Sequence, residues 1–121
     1  MRDLLAREKK DRRAAEAVAL FCYQAKKWIG AYAAALGGLN TLVFAGGIGE
    51  NSPTIRQRIC AQLDFLGLVL EPAKNAGNAA VISTRGSRVT VRVIPTDEAL
   101  VIARSANRIL AKISRQAKSR K

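Results

Sequence analysis

Leu42-Val43-Phe44-Ala45-Gly46-Gly47-Ile48-Gly49-Glu50-Asn51-Ser52-Pro53 is the stretch on which the reading of this chain turns. It begins as a short apolar run, the pattern of a buried strand. Gly46, Gly47 and Gly49 follow, removing Cβ atoms where backbone must turn or something must approach it closely. Ser52 and Pro53 then have the form of a helix start. A capping hydroxyl comes first, then proline at the first helical position, where its missing N–H costs nothing. The expected element is therefore strand, glycine loop, helix N-terminus. Open N–H groups with the positive end of a helix dipole behind them make an anion site, so a nucleotide is expected against this loop. By pattern alone a tight βα turn accounts for the glycines better than a ligand loop does. No Gly-Lys-Ser/Thr follows, so this is not a Walker loop, and the third glycine of G-x-G-x-x-G would fall at Ser52. Asn51 can offer its amide to a ribose, base or phosphate oxygen. Glu50 is an odd neighbour for a bare phosphate, so its carboxylate is expected to bond locally and hold the loop.

Outward from this stretch, residues 12–36 have a helical pattern. Val18, Cys22, Ala25, Ile29, Tyr32 and Leu36 draw one apolar stripe at spacings of three and four. Gly37-Gly38 ends it. Phe21, Tyr23, Trp28 and Tyr32 lie on the same helix and are read as core and interface packing rather than a stacking platform for bases. After Pro53 a second helix is expected to reach Leu66, with Ile55, Ile59, Leu63 and Leu66 on one face, Arg56 and Arg58 elsewhere, and Gly67 closing it. Short strands are expected at 68–70, 80–83 and 89–94, with a loop over 71–79. A last helix is expected from Thr96-Asp97-Glu98 to about Ser114, capped by Thr96. Helices alternating with strands imply an α/β layer architecture, with the ligand at the carboxyl edge of the sheet.

With 121 residues, 49% of them hydrophobic, the chain is sized for one folded domain. It divides into an entry segment over 1–11, whose Met1-Arg2-Asp3-Leu4-Leu5 has the look of an element entered midway, the domain proper, and a basic tail over 115–121. No apolar run approaches the ~20 residues of a membrane helix, and the N-terminus lacks the apolar core of a signal peptide. Cys22 and Cys60 sit in apolar helical patterns and are expected to be buried free thiols of a cytoplasmic protein. Histidine is absent, which excludes a His-based triad from this chain. Lys and Arg number 21 against 9 Asp and Glu, a net charge of +12. The excess gathers at Arg7–Arg13 and Lys112–Lys121, with few aromatics between. Solvated helix ends explain it better than a nucleic-acid surface.

Thr96-Asp97-Glu98 is the second candidate for chemistry. Helix capping alone explains the three residue types, while the functional alternative is a carboxylate that holds Mg²⁺ directly or through water.

Three segments together resemble the C-terminal part of acetate kinase. They are Trp28-Ile29-Gly30-Ala31-Tyr32-Ala33-Ala34-Ala35-Leu36-Gly37-Gly38, Val43-Phe44-Ala45-Gly46-Gly47-Ile48-Gly49-Glu50-Asn51-Ser52, and Val93-Ile94-Pro95-Thr96-Asp97-Glu98. Asp64-Phe65-Leu66-Gly67 before a short strand fits as well. The resemblance covers nearly the whole chain. It implies the fold of the acetate and sugar kinase, actin and heat-shock ATPase superfamily: two ribonuclease-H-like domains around a nucleotide cleft, of which this chain is the C-terminal half. The implied reaction is ATP and acetate to ADP and acetyl phosphate, reversibly and with Mg²⁺. By position, Gly47, Ile48, Gly49, Glu50 and Asn51 match the family's adenosine-binding loop, and Glu98 its Mg²⁺-linked glutamate. Met1-Arg2-Asp3 resembles the end of a segment that helps hold the nucleotide, which makes Arg2 a further nucleotide-binding candidate. Family members run to about three times this length. The acyl pocket, its arginines and the catalytic aspartate and histidines fall in the portion this chain lacks. The implication is no catalytic residue in this chain and no useful transfer by it alone, since phosphoryl transfer is mostly positioning and charge neutralisation. ATP or ADP, an N-terminal half and a homodimer mate are the implied partners, with no membrane and no nucleic acid. Propionate or butyrate could replace acetate. The rival expectation is a non-catalytic remnant that dimerises and binds nothing.

Overall fold

The structure, a computed structural model, describes residues 1–118 and the side chains of residues 1–97 and 100–110. Its centre is a parallel pair, β1 (Thr41–Phe44) and β2 (Thr90–Val93), with Thr41 opposite Thr90 and Phe44 opposite Val93. β1 runs apolar after Thr41, while β2 alternates, with Val91 and Val93 buried and Thr90 and Arg92 exposed.

The expected strands at 68–70 and 80–83 are present as extended backbone joined by single bridges. Val81 bridges Arg92 of β2, and Leu70 bridges Ser83, both antiparallel. Two serines explain why these pairings do not become regular ladders. Val91 N donates to Ser83 Oγ at 3.1 Å, and Val69 N to Ser87 Oγ at 3.0 Å. A hydroxyl replaces the neighbouring strand's carbonyl at each place, so the backbone repeat breaks.

Helix α1 (Arg2–Arg7) forms within the entry segment, where Met1-Arg2-Asp3-Leu4-Leu5 was expected to belong to an element. Helix α2 (Arg12–Ala35) begins where the sequence places it, because Asp11 caps it: its carboxylate accepts from Arg13 N at 3.0 Å and Ala14 N at 3.2 Å. It ends as expected at Gly37-Gly38. There Gly38 N donates to Ala33 O and Gly37 N to Ala34 O, the pattern of a Schellman cap.

The stripe on α2 is buried only in its first half. Val18 and Cys22 are inside, Ala25 and Ile29 pack against the core, and Tyr32 and Leu36 are exposed. Beyond Ile29 the stripe runs past the core.

Two short helices follow β1: α3 (Gly46–Asn51) and α4 (Pro53–Cys60). The second was expected to reach Leu66. It stops six residues short, and a single 3₁₀ turn over Asp64–Leu66 covers the remainder, closed by Gly67 in the left-handed region. Helix α5 (Pro72–Ala76) lies in the expected loop, with Pro72 at its first position. Proline there starts a helix as readily as it breaks one.

The core joins Val18 and Cys22 of α2, Phe44 of β1, Ile55, Ile59 and Cys60 of α4, Leu63, Leu68, Ile82, and Val89, Val91 and Val93 around β2. Each fully buried aliphatic side chain contributes about 1.5–3 kcal/mol. Both cysteines are buried and unpaired, as expected, and burial pushes the Cys60 thiol up to about 12. The last helix, α6 (Glu98–Lys118), leaves the carboxyl end of β2. Residues 119–121 of the expected basic tail lie outside the described residues.

Candidate functional site

The glycine stretch is helical rather than a loop. β1 delivers the chain to Gly46, whose φ of +70° turns it sharply, and α3 starts at that residue. The helix N-terminus facing the sheet edge is therefore at Gly46. Ser52 makes no side-chain cap bond to α4. The expected open anion site is also changed, because Gly46 N donates to Glu50 Oε1 at 2.8 Å. A carboxylate already sits at that N–H, and a phosphate placed there would meet its charge.

Glu50 bonds locally, as its residue type suggested, and it reaches further than the loop. The same Oε1 accepts from Thr96 N and Thr96 Oγ1, each at 2.8 Å. These bonds hold the Glu50 carboxyl below the usual carboxylate range, the Thr96 hydroxyl first among them.

The three glycines answer to different demands. Gly46 supplies the turn. Gly49 supplies room, since a Cβ there would lie 3.2 Å from the Phe44 carbonyl carbon, tighter than ordinary contact. Gly47 has neither need: its φ is unexceptional and a Cβ there would meet nothing within 4 Å.

Arg56 carries the other end of α3. It was expected away from the apolar face of α4, and it is wholly buried. Its Nη1 donates to Gly49 O and Glu50 O at 2.7 and 2.9 Å, carbonyls in the last turn of α3. Nε and Nη2 donate to Asn75 Oδ1 and Asn75 O, and Nη2 also to Asn78 Oδ1. No carboxylate is among these partners, so neutral oxygens alone solvate the cation, and burial pulls its pKa below the ordinary value. Pattern reading missed Arg56 because an arginine beside Ile55 reads as the polar flank of an amphipathic helix. The available signal was Glu71-Pro72 as a helix start, which places Asn75 on α5 to receive the guanidinium.

Beside α3 lies a pocket of about 410 Å³, walled by Met1, Arg2 and Leu5 on one side and Gly47, Ile48, Asn51 and Ser52 on the other. Four of the six nucleotide-binding candidates, Arg2, Gly47, Ile48 and Asn51, thus line one cavity, although Arg2 is far from the rest in sequence. Gly49 and Glu50 are not on its wall. Asn51 Nδ2 donates to Gly47 O at 3.0 Å, which fixes the amide on the rim. The walls mix apolar surface, one guanidinium and one amide. That suits a flat, partly polar group such as a purine nucleoside.

The cap of α6 falls one residue later than expected. Asp97 Oδ1 accepts from Leu100 N at 2.9 Å, while the Thr96 hydroxyl is engaged with Glu50. Glu98 opens α6, and its side chain, the expected Mg²⁺ ligand, lies outside the described ones. Among the described residues no group of three or more His, Cys, Asp or Glu could hold a metal, and no helix is long and apolar enough to cross a membrane.

The chain is similar to known proteins over most of its length. The model of the acetokinase family matches residues 1–104. Acetate kinase of Bacteroides fragilis is 51% identical over 115 residues, which cover 93% of this chain and 29% of that protein. The crystal structure of Porphyromonas gingivalis acetate kinase superposes with a TM-score of 0.78 at 42% identity, covering 90% of this chain and 28% of that one. A propionate kinase from Francisella tularensis subsp. tularensis SCHU S4 superposes with a TM-score of 0.75 at 34% identity, covering 84% and 27%.

The α/β fold is thus that of the C-terminal part of a carboxylate kinase, as the resemblance implied. The chain belongs to the acetokinase family and spans less than a third of the length of the relatives it matches.

Proposed function

We propose that this chain supplies the adenosine side of the ATP or ADP site of an acetate kinase, with Arg2, Gly47, Ile48 and Asn51 against the nucleoside. The observation that carries this is the shared pocket, together with a glycine on its wall, Gly47, that neither backbone geometry nor packing requires. A bare Cα there leaves space for a ring to lie flat against α3. Gly49 and Glu50 shape the wall from behind. Because the Glu50 carboxylate already occupies the Gly46 N–H, the phosphates are better placed away from that point and the nucleoside toward it. Asn51 then offers hydrogen bonds to the base or ribose, and Arg2 a cation at the rim. Mg²⁺ linked to Glu98 belongs to the same proposal. One carboxylate fills a small part of an octahedral shell, the remainder coming from phosphate oxygens and water.

The reaction in which this half takes part is ATP and acetate to ADP and acetyl phosphate. No residue of this chain is assigned to the transfer itself, and the acyl acceptor is selected outside it. The likeness to a propionate kinase keeps propionate open as that acceptor.

Calorimetry tests the nucleotide reading. ADP is expected to bind weakly, and Gly47→Val, which fills the pocket without a backbone clash, to abolish the heat while leaving the melting temperature in place. A folded sample giving no heat at millimolar ADP would count against the proposal.

A homodimer through the C-terminal half of α2 fits the same reading. Trp28 and Tyr32 stack with ring centroids 5.9 Å apart, yet both are more than half exposed. Aromatic pairs left in water at the end of a helix are the stuff of interface anchors. Sedimentation is expected to show a dimer that Trp28→Glu converts to monomer.

A further inference from the structure

We infer that Glu50 is a positioning residue that ties the nucleotide-facing helix α3 to the root of α6, so that order in one is transmitted to the other. Three observations converge on it. One carboxylate oxygen takes three hydrogen bonds at 2.8 Å: one from the first residue of α3 and two from Thr96, 46 residues away in sequence. The chain between the sheet and α6 has little else to hold it. Ile94 N still pairs with Phe44 O at 2.9 Å at the end of the sheet. Pro95 then has no N–H to give, and Thr96 turns back to Glu50. Beyond Thr96, Asp97 caps α6, so the helix starts from the anchored residue without a flexible spacer.

The opposite end of α3 is fixed independently. Arg56, inside the core, grips the carbonyls of Gly49 and Glu50. α3 is thus a short rigid piece, one end fastened to the core and the other to the root of a long helix that is otherwise exposed along its described side chains. A ligand against Gly47 and Asn51 touches this piece directly. Charge-assisted bonds to a carboxylate exceed neutral ones in strength, and the one Glu50 oxygen joins Gly46 and Thr96 directly.

The test is NMR on the 121-residue chain. In Glu50→Ala the Gly46 and Thr96 amides are expected to exchange roughly tenfold faster, the loss of about one charge-assisted bond, while core amides such as Val91 stay as in wild type. Glu50→Gln, which keeps the accepting oxygen, is expected to recover most of that protection. Thr96→Val, at an exposed position that the fold tolerates, removes one of the three bonds and gives a smaller change at both amides. Adding ADP, an arm that rests on the nucleotide reading above, is expected to shift resonances of residues 47–51 and, through Thr96, those of 98–103. In Glu50→Ala the shifts stop at residue 51.

Unchanged exchange at Thr96 in Glu50→Ala, or α6 shifts on ADP that survive that substitution, would overturn the tie. ADP shifts absent from the whole wild-type chain, with the exchange effects present, would remove the nucleotide and leave the tie supported.

Discussion

On α4, Ile55 is 1% exposed and Arg56 is 0% exposed; on α6, Ile102 and Ile109 are 69% and 58% exposed, and Arg104 and Arg108 face solvent as well. The same two residue types meet opposite fates on two helices of one chain. α6 is the more sharply amphipathic of the pair, so separation of apolar from polar faces is not what decides burial. What decides it is the surface opposite. α4 lies on β2 and α2, and α5 offers Asn75 to its arginine. Among the described residues α6 has no such floor.

The comparison can be broken most forcefully at the arginines. Arg56→Leu leaves the oxygens of Gly49, Glu50, Asn75 and Asn78 without their donor, and is expected to cost about 4 kcal/mol or more in urea unfolding. Arg108→Leu is expected to stay within about 0.5 kcal/mol. Equal costs would mean that the buried guanidinium network contributes nothing. The isoleucines sharpen the same contrast. Ile55→Ala is expected to cost about 3 kcal/mol, the usual penalty of a core cavity, and Ile109→Ala less than about 0.5 kcal/mol. A large cost at Ile109 would show that α6 rests on something in solution.

The smallest effect belongs to Arg58, also on α4. It meets Glu8 at the surface through two bonds of 2.7 and 2.8 Å. That pairing holds the Glu8 carboxyl below its ordinary value. A depressed carboxylate contributes stability above the unfolded value of about 4.3, and the contribution is lost as pH falls through the lower folded value. Acid titration of the melting temperature should therefore fall more steeply below pH ~4.3 in wild type than in Glu8→Gln. Identical slopes would show that the pair is too solvated to matter.

The site was partly legible in advance. The Gly46–Asn51 stretch stood out by composition, and Glu50 could be assigned a local bond because a carboxylate is an odd neighbour for a bare phosphate. Its second partner, Thr96, could not be read, because 46 residues separate them and capping already explained a threonine there. The boundary at Cys60 escaped for a related reason. Ile55, Ile59, Leu63 and Leu66 keep helical spacing through the break, and a 3₁₀ turn can carry the last of them onto the core without the helix continuing. Ser83 was expected as the end of a strand and Ser87 as a turn residue, whereas the hydroxyls of both take strand N–H groups and interrupt the sheet.

Local chemistry alone settled where β1 lies and where α2 is capped and closed, because each depends on neighbours within a few positions; the stretch carrying Gly46, Gly47 and Gly49, expected as a loop, is helix α3. Packing decided which of those glycines answers to a turn, which to a close approach and which to neither, since a Cβ clashes or not according to atoms brought in from elsewhere. Tertiary structure likewise turned Arg56 inward and brought Arg2 to the wall opposite Gly47: a long polar side chain takes whatever oxygens the fold sets within its reach, and spacing along the chain holds no record of them.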